Sequence, residues 1–168
     1  MPSAKKLKGP IKMKFVIKMC CWILLILYLL VLYKYLVLDR AYYPAHRSFN
    51  LIPFDSIKQY INNKDDYNFN TWFMNLMGNF MMLMPLGVLL PVLHKRFRKF
   101  KNFIVFLIGI NLTIETFQYY SGYGSLDIDD VIMNSSGGIV VYMIIKAILN
   151  IQLLNRILIK EYEIKQDV

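Results

Sequence analysis

Four runs of apolar residues, separated by short polar or basic stretches, fix what this chain can become. The first extends from about Met19 to Leu38, the second from Trp72 to Leu93, the third from Phe103 to Tyr120 and the fourth from about Val131 to Ile151. At a rise of ~1.5 Å per residue, a helix over each run can cross a hydrocarbon core of ~30 Å with modest help from its flanks. A soluble domain is about half apolar and about a quarter charged; this chain is 57% hydrophobic and 18% charged, with mean hydropathy +0.39. It needs lipid around it, and four such helices in 168 residues leave no room for a second, soluble domain. The expectation is an all-α integral membrane protein: a basic N-terminal stretch (1–18), one transmembrane domain (19–151) and a tail (152–168). The lysine-rich start suggests a secretory signal, but the first apolar run is too long and no small-x-small cleavage site follows it, so it is expected to stay in the mature protein.

Charge sets the expected orientation. Lys5, Lys6, Lys8, Lys12, Lys14 and Lys18 precede the first run, and Lys95, Arg96, Arg98, Lys99 and Lys101 lie between the second and third. With Lys146 and the tail, one side of the membrane carries net +12 and the other net −3, which together make the chain's +9. The positive-inside rule then places both termini in the cytoplasm. It also accounts for the basic charge without a nucleic-acid partner. Cys20 and Cys21 are adjacent near the inner end of the first run, where vicinal geometry and a reducing compartment argue against a structural disulfide. Metal-type Cys/His spacing is absent, as is any cofactor motif.

The segment from Asp39 to Thr71 is too long for a simple turn and is expected to be partly structured on the outer surface. Within it Asn50-Leu51-Ile52-Pro53-Phe54 is apolar and proline-stiffened, and Asp55 and Ser56 are placed to cap a short helix running to about Ile61.

Polar residues within the apolar runs fall into register. Asn75 and Asn79 are four apart on the second run, beside Gly78. On the third, Asn111, Glu115 and Gln118 form one helical stripe. Asp127, Asp129 and Asp130 precede the fourth run, which carries Asn134, Ser135 and Ser136 ahead of Gly137-Gly138. With the orientation above, all three sets lie in the outer third of the membrane, Asn75, Asn79 and Glu115 roughly 5–10 Å below the outer ends of their helices. The implied feature is a polar pocket opening outward. The bland alternative is that the amides and Glu115 join helices by hydrogen bonds and one aspartate caps the fourth helix. An intramembrane carboxylate such as Glu115 must be protonated, hydrogen-bonded or paired, with Arg40, His46 and Arg47 as candidate partners. The aspartates lack the spacing of an EF-hand loop, and His46 and His94 are expected on opposite sides, which argues against a hydrolytic triad with Ser135 or Ser136. Gly137-Gly138 reads as close helix packing, since a phosphate-cradling loop would need a strand before it.

In order, Asn50-Leu51-Ile52-Pro53-Phe54, Asn75-x-x-Gly78-Asn79 with Pro85-Leu86-Gly87, Ile114-Glu115-x-x-Gln118, and Asp127-Ile128-Asp129-Asp130 with Asn134 and Gly137-Gly138 resemble the VanZ-like family from about Phe49 to Gly138. That family is named for a protein conferring low-level resistance to teicoplanin, a lipoglycopeptide. The resemblance implies a multi-pass protein of a bacterial plasma membrane whose pocket comprises Asn50, Pro53, Asn75, Asn79, Glu115, Gln118, Asp127, Asp129, Asp130 and Asn134. It implies as partners membrane lipids and either a lipoglycopeptide or a lipid-linked cell-wall precursor. The rival expectations are an enzyme modifying an envelope lipid or wall precursor, with Glu115 or an aspartate as general base, and a non-catalytic scaffold for envelope machinery. One departure stands out: family members often carry an arginine in a Gly-Arg-Gly-type turn where this chain has Gly122-Tyr123-Gly124. A site needing that cation would have an altered ligand preference here, or compensation from Arg40 or Arg47.

Overall fold

The computed structural model describes residues 9–39 and 48–166. Helix α1 (Gly9–Tyr33) runs on through a π-helical turn, Lys34–Leu38. A two-residue strand β1 (Phe49–Asn50) and a short helix α2 (Asp55–Asn62) follow, then α3 (Phe69–Leu93), α4 (Phe100–Ser121), strand β2 (Leu126–Asp127) and the long α5 (Ile128–Gln166). Four of these helices are long and apolar enough to cross a membrane, over Phe15–Leu38, Phe69–Leu93, Phe100–Ser121 and Ile128–Asn150. The four expected spans are therefore present, each beginning three or four residues earlier than its apolar run. Polar end residues extend the helices: Asn68 accepts the Thr71 N–H at 2.8 Å and caps α3. Helix α5 also continues through most of the residues read as a tail. Arg40, His46 and Arg47 lie outside the described residues.

Helix α3 is not continuous. A π-helical turn occupies Met74–Gly78, and the helix breaks at Leu83 before resuming at Met84 with Pro85 in its first turn. The Leu86 N–H bonds to the Leu83 carbonyl at 3.1 Å instead of reaching back to Met82. An unpaired carbonyl inside a bilayer costs several kcal/mol (roughly); the Tyr28 hydroxyl of α1 meets the one on Met82 at 2.6 Å. The break thus creates a polar tie between α1 and α3.

The core lies between α3, α4 and α5: Leu83, Leu86, Leu89, Leu90 and Leu93 pack against Phe103, Leu107 and Tyr142, with the Phe103 and Tyr142 rings stacked at 4.5 Å. Glycine makes this possible. A Cβ on Gly87 would lie 2.6 Å from the Gly138 carbonyl, and one on Gly137 would be driven into the Phe80 carbonyl. The close packing expected of Gly137-Gly138 is therefore α5 against α3, backbone to backbone. Replacing Gly137 by Ala is expected to destabilise the bundle by ~1–3 kcal/mol through overpacking. Gly109→Ala, where an added methyl meets nothing within 4 Å, should be neutral or slightly stabilising. Thermal unfolding in detergent checks both; equal melting of Gly137→Ala and the parent would contradict this close approach.

Candidate functional site at the acidic end of the bundle

The turn between α4 and α5 is built to hold carboxylates. Gly122 takes φ 75°, and the Tyr123 and Gly122 N–H groups bond back to the Gln118 and Tyr119 carbonyls at 2.9 and 3.3 Å, a Schellman closure of α4. The chain then runs extended through β2, which pairs in parallel with β1, Phe49 opposite Leu126 and Asn50 opposite Asp127. This two-residue ladder sits within a chain that is otherwise helical, as the all-α expectation has it. Its effect is to set Asn50 beside Asp127.

Asp127 accepts from every direction. Asn50 Nδ2 donates to its Oδ1 at 3.2 Å, Ser56 Oγ donates to its Oδ2 at 2.5 Å, and the Asp129 N–H donates to its Oδ1 at 2.9 Å. Asn50 Nδ2 also reaches Ser56 Oγ at 2.9 Å, while its Oδ1 accepts the Ile52 N–H at 3.0 Å. The Asp127 N–H in turn donates to Glu115 Oε2 at 3.3 Å. Glu115 is 2% exposed and Asp129 1%, so both carboxyl groups sit inside the protein.

Asp129 closes the segment above it. Its Oδ1 accepts the Phe54 N–H at 2.5 Å and its Oδ2 the Ile57 N–H at 3.2 Å, so it caps α2 from 75 residues away. The expectation that Asp55 and Ser56 cap this helix is corrected here. The capping position belongs to Phe54, held at φ 66° with no side-chain bond of its own; Asp55 accepts from Gln59 Nε2 at 3.1 Å and Ser56 turns to Asp127. A non-glycine residue in the left-handed region costs ~1–3 kcal/mol, which the distant cap offsets.

Asp130 points elsewhere, accepting from Asn79 Nδ2 on α3. One turn inward from Asp130 on α5, Asn134 is 1% exposed, and neither its Nδ2 nor its Oδ1 meets a partner among the described residues. One turn inward from Glu115 on α4, buried Asn111 donates to Ser135 Oγ at 2.8 Å. Above the cluster lies Tyr60 of α2, whose phenol is held above its ordinary value of 10.0, by burial first, then by Tyr67 and the negative charges of Asp130 and Asp127. The Tyr60 carbonyl accepts Trp72 Nε1–H at 2.9 Å, tying α2 to the start of α3.

A family model described as VanZ/LLP1 matches residues 15–150. The chain belongs to the VanZ/LLP1 family. No curated protein and no solved structure shows significant similarity.

In this VanZ/LLP1 chain, Asn50, Asn79, Glu115, Asp127, Asp129 and Asp130 are drawn together by hydrogen bonds. Gln118 is buried one turn beyond Glu115. Asn75 lies half-buried in the π turn with no side-chain hydrogen bond among the described residues, and Pro53 is exposed on the covering segment. Ser56 and Tyr60 were not among the expected site residues; a serine and a tyrosine in a short helix carry no sequence signal for a carboxylate that lies 71 residues beyond Ser56. Among the described residues no group of three His, Cys, Asp or Glu side chains is arranged to hold a metal ion. The three aspartates instead divide among their neighbours: Asp127 holds β1 and α2, Asp129 caps α2 and Asp130 meets α3. Asp129→Ala is expected to strand two part-buried N–H groups at a cost of about 0.5–2 kcal/mol, localised to α2. Hydrogen exchange should speed up at Phe54 to Lys58 and stay unchanged in the middle of α4; uniform exchange across both would contradict a local cap.

Proposed function

We propose that this VanZ/LLP1 protein resides in a bacterial plasma membrane with its basic end in the cytoplasm. There it lowers susceptibility to lipoglycopeptides such as teicoplanin through the acidic cluster at its outer end. The observation that carries this reading is the Asn50–Ser56 segment hydrogen-bonded over Asp127 and Asp129. The covering segment supplies donors that a ligand can replace: each hydrogen bond to a carboxylate contributes roughly 1.5–3 kcal/mol. A ligand presenting several donors at the outer leaflet therefore competes for Asp127 and Asp129 with Asn50, Ser56 and the α2 amides. Asn79 and Asn134 orient it from below, and the ligand is the drug itself, a lipid carrier or the lipid-linked wall precursor that the drug engages. The orientation follows the positive-inside rule.

The test is susceptibility of a sensitive Gram-positive strain to teicoplanin and vancomycin, with the parent chain or Glu115→Gln at matched membrane levels. A teicoplanin-selective rise with the parent, lost with Glu115→Gln, is expected. Absence of any rise with the parent would overturn the resistance reading, and an equal rise for both drugs would remove the acyl tail from it.

A second reading is favoured by one contact. Ser56 Oγ and Asp127 Oδ2 are 2.5 Å apart, within reach of proton transfer from a nucleophilic hydroxyl to a carboxylate. In that reading the protein modifies an envelope lipid or wall precursor. Mass profiles of lipids and precursors should then contain a species present with the parent and missing with Ser56→Ala; profiles identical with and without the parent exclude it.

A further inference from the structure

The opposite end of the bundle carries a second constellation, independent of the acidic cluster. Between α1 and the turn joining α3 to α4 lies a cleft of about 600 Å³ lined by Ile17, Lys18, Val92, Lys95 and Arg98. Its wall has a defined construction. Trp22, one turn along α1 from Lys18, meets the His94 ring edge-on at 5.7 Å, and His94 immediately precedes Lys95. Arg98 Nε donates to the Pro91 carbonyl at 3.1 Å, which fixes the guanidinium beside the end of α3 and leaves its other N–H groups for a further acceptor. No carboxylate among the described residues pairs with Lys18, Lys95 or Arg98.

We propose that this cleft binds the phosphate of an anionic phospholipid from the leaflet at the basic end. Three cations from two separate elements line this one cleft, and an anion between them would offset their mutual repulsion. The positive-inside rule explains how many basic residues sit at this end but not their convergence: Lys99, in the same connection, does not line the cleft. Ile17 and Val92 belong to membrane-spanning helices, so the cleft joins a cationic rim to an apolar wall. That pairing fits a phosphate carrying an acyl chain, and a free phosphate would leave the wall unfilled. Basic recesses between transmembrane helices recognise acidic headgroups by this division of labour.

Trp22 makes the site readable. The full chain is reconstituted in bilayers containing a fixed fraction of acyl-brominated phosphatidylglycerol or acyl-brominated phosphatidylcholine, and bromine quenching of Trp22 is obtained by subtracting the signal of Trp22→Phe, which retains Trp72. The expected result is an apparent preference of at least about fivefold for the anionic lipid, lost in Lys18→Gln/Lys95→Gln and kept in Lys99→Gln/Lys101→Gln, which removes the same charge. Equal quenching by the two lipids would overturn the proposal. So would a preference that falls equally in both double variants, because it would then report only the charge of that end.

Discussion

The acidic end depends on one constraint: carboxylates buried beside a bilayer must have every oxygen met by a donor. Four residues, Asp127-Ile128-Asp129-Asp130, meet it by reaching in three directions. Asp127 gathers Asn50 and Ser56, Asp129 takes the amides that open α2, and Asp130 takes Asn79 of α3. The same segment forms β2 and the first turn of α5, while its backbone is anchored to Glu115 on α4. One short stretch therefore registers three helices and the covering segment against each other. Any one of these contacts is modest, but removal of a carboxylate exposes several donors at once, so the end behaves as a unit.

The apolar middle is organised by a different economy. Without water to expel, helices in lipid gain by close van der Waals approach, and small residues at the contact allow it. Gly87, Gly137 and Gly138 bring the backbones of α3 and α5 together, and the break at Leu83 falls within the same stretch of α3. The carbonyl freed there is met by Tyr28, so a discontinuity in one helix becomes the attachment of another. Helix α1 is otherwise little buried and faces its surroundings along most of its length.

The four spans were legible in the sequence because hydrophobic length is a local property, and the helical stripes placed Glu115 and Gln118 correctly on a buried face. The aspartates were legible as a group, but their separate duties were not. Which carboxylate caps which helix depends on pairings across about 75 residues, and a strand of two residues leaves no periodicity to read. For the same reason Asp55 looked like the cap of α2: Asp at a helix start is the local rule, and a carboxylate arriving from the α4–α5 turn overrode it. The π turn containing Asn75 and the break at Leu83 also escape a pattern based on 3.6 residues per turn, although Pro85 marked where continuity would fail.

The two ends of the bundle consequently differ in kind. At the acidic end Phe49, Leu51, Ile52 and Phe54 turn outward, exposed by half or more, while the donors of the same segment turn inward onto Asp127 and Asp129. The segment is held by side-chain bonds and a two-residue ladder, with little core of its own, and elements held in this way open at lower free energy than the bundle beneath them. Its apolar side chains face away from the bundle while its donors face Asp127 and Asp129, so displacing the segment would uncover both carboxylates together. At the basic end Lys18, Lys95 and Arg98 meet no carboxylate among the described residues. The Asp127 to Asp130 stretch is thus closed by the protein's own donors, whereas these three cations line an open cleft.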